Sequence, residues 1–120
     1  IKHHTVQGGS NIIKLRGRSS FQSPAYNAVK MIEAAMGGEK FTLPAGCYAD
    51  IPELGFKDVM MALPTTIDKT GVHYTTPTGT KEEMADLQKS YEHLCNMRQE
   101  VIDLGIIPPV AEWNKENPNL

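Results

Sequence analysis

Residues 58–76 read DVMMALPTTIDKTGVHYTT, and the fold class turns on them. Asp58 to Ile67 reads as a strand that runs into Asp68-Lys69-Thr70-Gly71, where Gly71 supplies the positive φ that a type I turn with a following bulge demands. Val72 to Thr76 then returns antiparallel. Upstream, Phe41-Thr42-Leu43-Pro44 and Gly46-Cys47-Tyr48-Ala49 read as a broken strand, with proline arguing for an edge or a bulge. Downstream, Thr80 and Glu83 stand three apart as a capping box. A long helix must follow, with Met84, Leu87, Tyr91, Leu94, Arg98 and Val101 in a three-then-four rhythm. All of these but the arginine make a core-facing stripe, which Gly105 and Pro108-Pro109 end.

Two helices precede the sheet. Ser10 to Leu15 has helical composition and breaks at Gly17. A second helix is expected to start with Ser23 as N-cap and Pro24 at the first helical position, where its missing N–H costs nothing. Ala25, Ala28, Val29, Ile32, Ala35 and Met36 give that helix one apolar face, and Gly37-Gly38 stops it. The tail from Val110 to Leu120, with Trp113 and Pro118, reads as irregular. The sum is α+β: helices packed on a small antiparallel sheet, with a long C-terminal helix and no internal repeat.

A chain of 120 residues, 40% hydrophobic and 22% charged, is one domain able to bury a core. Its net charge of −2 recruits neither nucleic acid nor an anionic membrane surface, and no apolar run is long enough to span a bilayer. Two cysteines, Cys47 and Cys95, make no disulfide framework and are expected to be free thiols in the cytoplasm. The sequence begins at Ile1 rather than methionine, so residues of a parent protein are expected upstream.

No complete catalytic set stands out. His3 and His4 are adjacent near a terminus and are expected to be surface residues, and no Cys or His lies at zinc-ligand spacing from His73 or His93. Cys95 falls beside the apolar stripe as a small hydrophobe. Asp50, Glu53 and Asp58 are candidates to pair as acid and base, but acid-rich loops are commonplace and no spacing singles these three out, and the methionines fall mostly within periodic elements as core filler. Lys14, Arg16 and Arg18 read as a solvated basic face. Ser19 and Ser20 lack the G-x-S-x-G elbow of an acyl-transfer serine, and neither glycine pair continues into a dinucleotide-binding fingerprint.

Gly8 to Leu15 followed by Ser19-Ser20-Phe21-Gln22-Ser23-Pro24-Ala25 resembles a segment of malate dehydrogenases. There a glycine pair opens a helix that ends in a small hydroxyl, an aromatic, then a proline and alanines. Leu43-Pro44, then Gly55-Phe56-Lys57-Asp58-Val59-Met60-Met61-Ala62-Leu63-Pro64, then Gly71-Val72, is similar in order and spacing to a later signature of the same family. Together they run from about Val6 to Val101 and resemble the C-terminal, substrate-side domain of the lactate/malate dehydrogenase family.

The resemblance implies a NAD-dependent oxidoreductase of the tricarboxylic acid cycle that interconverts malate and oxaloacetate, as a homodimer or homotetramer. It implies that residues 1–107 are that domain, that 108–120 are an extension, and that the NAD-binding domain is absent. The family's catalytic histidine, aspartate and arginines have no match in these 120 residues, so the segment alone is expected to be inert. By position the resemblance makes Ser19 a substrate-pocket residue and puts Ser23-Pro24 near the nicotinamide. Arg18 before Ser19 and Gln22 after Phe21 depart from the commoner family pattern. A lactate or other 2-hydroxy-acid dehydrogenase is the alternative within the enzyme class; outside it, the alternative is an interaction module using the basic patch and the long helix.

Overall fold

The computed structural model describes residues 2–118, whose elements run α1 (Lys2–Arg16), α2 (Gln22–Ala35), β1 (Ala45–Ile51), β2 (Phe56–Leu63), β3 (Thr65–Asp68), β4 (Gly71–Tyr74), α3 (Lys81–Asp103) and α4 (Trp113–Glu116). The class is the α+β one expected, with two two-stranded sheets among the described residues, β1-β2 and β3-β4. Contacts group the chain into two units. One holds α1, α2 and Ile67–Val72; the other holds Thr42–Thr66 and the chain from His73 onward.

In the second unit β1 and β2 pair antiparallel from Ala45 opposite Leu63 to Ile51 opposite Phe56. Alternation buries Ala45, Cys47, Ala49 and Ile51 on β1. On β2 the same face would come out of step, because Phe56 is even-numbered and Val59, Met61 and Leu63 are odd. The register shifts between Ala49 and Asp50, so that Ala49 faces Val59 while Asp50 faces Lys57, and Asp58 is the extra residue. This bulge restores the parity that puts all four apolar side chains on the core face. Phe56, Ile51 and Leu63 are fully buried, each worth about 1.5–3 kcal/mol of transfer free energy.

The long helix covers that core. Leu87, Tyr91, Leu94 and Cys95 pack against it, and the Tyr91 ring stacks on Phe56 at 4.4 Å. Its start is the capping box expected: Glu83 N–H donates to Thr80 Oγ1 at 3.3 Å, and Thr80 N–H donates to Glu83 Oε2 at 2.8 Å. The Thr80 N–H, then the Thr80 hydroxyl, both donating to Glu83 Oε2, hold the Glu83 carboxyl below its usual pKa. The helix ends at Asp103, followed by Gly105 at φ 69. The tail is more ordered than expected, with a 3-10 turn at Val110–Glu112 leading into α4, and Trp113 Nε1 donates to Pro108 O at 2.8 Å.

Several boundaries differ from the sequence reading. The strand expected over 58–67 is two strands, since Pro64 separates β2 from β3 and the Thr65 hydroxyl donates to Leu63 O at 2.7 Å. Phe41 makes only an isolated bridge to Ile67, and β1 starts at Ala45, after Pro44. A hairpin joins β1 to β2 through a 3-10 turn at Pro52–Leu54 closed by Gly55 at φ 69. The turn at 68–71 is as expected: Asp68 Oδ1 accepts from Thr70 N at 2.8 Å and from the Thr70 hydroxyl, and Gly71 has φ 128. Lys40 reaches Asp68 at 3.1 Å; the Thr70 bonds, then Lys40, hold the Asp68 carboxyl well below the usual carboxylate range.

In the first unit α1 is longer than Ser10 to Leu15 and contains Gly8 and Gly9 within it rather than at its opening. Each glycine costs a helix interior about 1 kcal/mol relative to alanine. The stop after α2 is as expected, with Gly38 N–H donating to Glu33 O at 2.9 Å. A Cβ on Gly38 would lie 2.7 Å from Glu33 Cγ and 2.9 Å from Glu33 O, so this close approach requires glycine.

Candidate functional site

The residues singled out by resemblance meet at the joint between α1 and α2. α1 ends with Gly17 at φ 72, whose N–H donates to Ile13 O at 2.8 Å, and α2 begins five residues further on. Ser19 lies in the link and is exposed to solvent. Ser23 is not the N-cap: Phe21 holds that place, with no side-chain cap bond, and its carbonyl accepts from Ala25 N at 3.1 Å. Ser23 and Pro24 are therefore the second and third residues of α2 rather than its cap and first residue. Pro24 still sacrifices nothing, because the first four N–H groups of a helix have no partner within it.

Across the joint Arg16 Nη1 donates to Gln22 Oε1 at 3.0 Å, tying the last residue of α1 to the first of α2. The Arg16 and Arg18 guanidiniums lie over the same Phe21 ring, 5.8 and 5.2 Å from its centroid. The basic run is thus partly organised around one aromatic rather than simply solvated. Nothing acidic sits in the first turn of α2, so the guanidiniums and the helix dipole give the joint a uniformly positive character.

A second constellation went unread in the sequence. Tyr48 on β1 donates to Asp58 Oδ1 at 2.7 Å, while Arg98 on α3 donates through Nη1 to Asp58 O at 2.7 Å. Asp58 has φ 59, the left-handed region, as the extra residue of the bulge. The bond to Asp58, then burial, pushes the Tyr48 hydroxyl up to about 12. Tyr91 completes the support by donating to Lys57 O at 3.3 Å and accepting from Lys57 N at 3.2 Å. Tyr48, Asp58 and Arg98 edge a cavity of about 310 Å³ whose apolar wall includes Leu94, Met97 and Trp113. Trp113 thereby anchors the tail beside this unit's own sheet. The signal was Arg98, a cation at an apolar-stripe position.

The remaining candidates stay apart. His3 and His4 meet edge to face within α1, and both are exposed, as are His73 and His93. Among the described residues no cluster of His, Cys, Asp or Glu could hold a metal ion. Cys47 and Cys95 are free thiols, Cys47 buried against Thr65 Oγ1 at 3.2 Å. No helix among the described residues is long and apolar enough to cross a membrane.

The family model of the lactate/malate dehydrogenase alpha/beta C-terminal domain matches residues 1–104. The chain belongs to the lactate/malate dehydrogenase family. Among its relatives, a malate dehydrogenase of Bacillus israeli is 33% identical over 104 residues, covering 85% of this chain and 33% of that protein. A malate dehydrogenase of Sorangium cellulosum is 36% identical over 87 residues, covering 72% of this chain and 28% of that protein. The solved malate dehydrogenase of Salinibacter ruber superposes with a TM-score of 0.70 at 28% identity, covering 85% of this chain and 34% of that one. The chain thus spans about a third of the length of the relatives it matches, and the joint with its serines lies inside the matched family domain.

Proposed function

We propose that this chain is the substrate-side domain of a NAD-dependent malate dehydrogenase, which converts (S)-malate and NAD+ to oxaloacetate, NADH and a proton. The observation that carries the reading is the family match over residues 1–104 with relatives that are malate dehydrogenases, combined with the exposed hydroxyl of Ser19 at a tied helix joint. In this reading residues 1–107 are the domain, residues 108–120 are an extension, and an N-terminal domain holds most of the NAD. The working enzyme is a cytoplasmic homodimer or homotetramer.

Within that scheme Ser19 donates its O–H to a substrate carboxylate oxygen or fixes a water against it. Ser23 and Pro24 form the rim next to the nicotinamide. A joint with positive character, exposed hydroxyls and no carboxylate in the first turn of α2 suits the edge of an anionic nucleotide. NAD+ supplies the hydride acceptor. This chain's residues orient the substrate, and the proton relay comes from the N-terminal domain. By itself the chain is inert, because hydride transfer requires near-attack positioning and a base of suitable pKa.

The test is NADH oxidation by the full-length protein with oxaloacetate and with pyruvate. Turnover of oxaloacetate with a preference over pyruvate is expected; no turnover of either overturns the enzymatic reading, and a pyruvate preference overturns the malate one. Ser19→Ala is expected to lower kcat/KM for oxaloacetate roughly tenfold at unchanged KM for NADH, the value of one hydrogen bond to a charged group. Wild-type kinetics in that variant would remove Ser19 from the pocket.

A further inference from the structure

Arg16 and Arg18 meet the same ring, yet only one of them spends its donors on the fold. Arg16 bonds Gln22 across the joint. Arg18 lies 5.2 Å from the Phe21 centroid, is exposed, and among the described residues has no hydrogen-bond or ion-pair partner. A guanidinium placed over an aromatic ring and bonded to nothing else in the protein keeps its N–H donors free, in the planar fork that matches a carboxylate. The ring also restricts a long side chain in advance, so less rotamer freedom is lost when an anion arrives.

Charge along the chain points the same way. Residues 1–32 carry Lys2, Lys14, Arg16, Arg18 and Lys30 and not one Asp or Glu, whereas the chain as a whole is at −2. The acidic excess is therefore confined to the residues after Ile32, and the joint that presents Ser19 lies in a stretch of one sign. Such a field draws in anions and rewards a second negative charge on the ligand. One cation in that stretch, Arg18, is the immediate neighbour of Ser19 and is held with its donors unspent.

We propose that Arg18 is a specificity-determining residue that favours dicarboxylate over monocarboxylate substrates in the site Ser19 lines. Its guanidinium donates to the carboxylate at the far end of a four-carbon 2-hydroxy or 2-oxo diacid. The assignment rests on the dehydrogenase reading above. It adds a second source of selectivity, within this domain, to whatever the N-terminal domain provides.

The experiment compares the full-length wild type with Arg18→Met, which keeps an apolar stem, and Arg18→Lys, which keeps the charge without the fork. Steady-state kinetics are read with oxaloacetate and with pyruvate, pyruvate being scored by its inhibition constant where it is not turned over. Arg18→Met is expected to raise KM for oxaloacetate roughly tenfold, with Arg18→Lys in between, as loss of a charge-assisted pair implies. The values for pyruvate and KM for NADH are expected to stay at wild type. Wild-type turnover of oxaloacetate with unchanged KM in Arg18→Met overturns the role of Arg18 and leaves the dehydrogenase reading standing. A rise confined to KM for NADH, or an equal loss for both acids, also overturns it, the first by assigning the cation to the cofactor and the second by making it structural. A wild type inert toward both acids removes the dehydrogenase reading, and this assignment falls with it.

Discussion

Asp58 occupies a left-handed backbone position, φ 59, which an aspartate tolerates better than most residues and which still carries a strain cost. The bulge needs that residue, because it brings Val59, Met61 and Leu63 back to the core face. The strain is offset by bonds at both of its ends, Tyr48 to the carboxylate and Arg98 to the carbonyl. Tyr48 gives this network a pH signature. Its hydroxyl, ordinarily at 10.0, is held up to about 12 chiefly by the bond to Asp58, so the protonated form is favoured in the folded state. The stabilisation is complete below pH 10 and fades as pH rises from 10 toward 12. Denaturant unfolding across that range is expected to show a falling midpoint in the wild type and a flatter one in Asp58→Asn, whose neutral amide no longer disfavours the tyrosinate. Equal slopes in the two proteins would detach Tyr48 from Asp58. The cluster was hidden in the sequence because its members lie 10 and 40 residues apart on three elements. Ser19 was singled out only through likeness to a family, since nothing in its local chemistry separates it from Ser20 in the sequence.

The element most legible in the sequence was α3, because its start is encoded within four residues. Thr80 and Glu83 satisfy each other's backbone donors, and no distant contact is needed to place them. Thr80→Ala is expected to lower stability by about 1 kcal/mol in thermal or denaturant melts. It should also blunt part of the acid dependence: the Thr80 backbone N–H, which alanine keeps, and the Thr80 hydroxyl, which it loses, both hold the Glu83 pKa below its ordinary 4.5, a stabilisation present above this pH and lost as pH falls. A variant with wild-type stability would show that the Thr80 hydroxyl contributes nothing to the start of α3. Elsewhere local rules competed with tertiary ones. Ser23-Pro24 is a sound cap signal, yet the Arg16 bond to Gln22 and the Phe21 carbonyl start α2 earlier. By resemblance Gly8-Gly9 opens the first helix, yet α1 begins at Lys2 and runs through both glycines. The β1-β2 hairpin was missed because its turn uses a 3-10 segment and Gly55 rather than a two-residue Asn-Gly or Asp-Gly signal.

At the scale of the molecule, the α+β class was readable from the switch between helical and strand periods, while the partner of α2 was not. Periodicity reports that a helix has an apolar face, not which surface covers it. In these residues Val29, Ile32 and Met36 are 62%, 60% and 83% exposed, and only Ala34 on that helix is buried. The flanking Ala25, Ala28 and Ala35 are small enough to let another helix approach closely. The homo-oligomer proposed above predicts that this face meets a second copy, where twofold symmetry counts every substitution twice. Each large apolar side chain covered there contributes about 1.5–3 kcal/mol, so burying a charge in its place acts against the whole interface. Full-length Ile32→Glu is therefore expected to sediment as a smaller species than the wild type at equal concentration. Its circular dichroism should be unchanged, because Ile32 contributes little to the core of its own chain. A wild type that is already monomeric, or a variant that assembles as the wild type does, would show that the apolar stripe of α2 serves another surface.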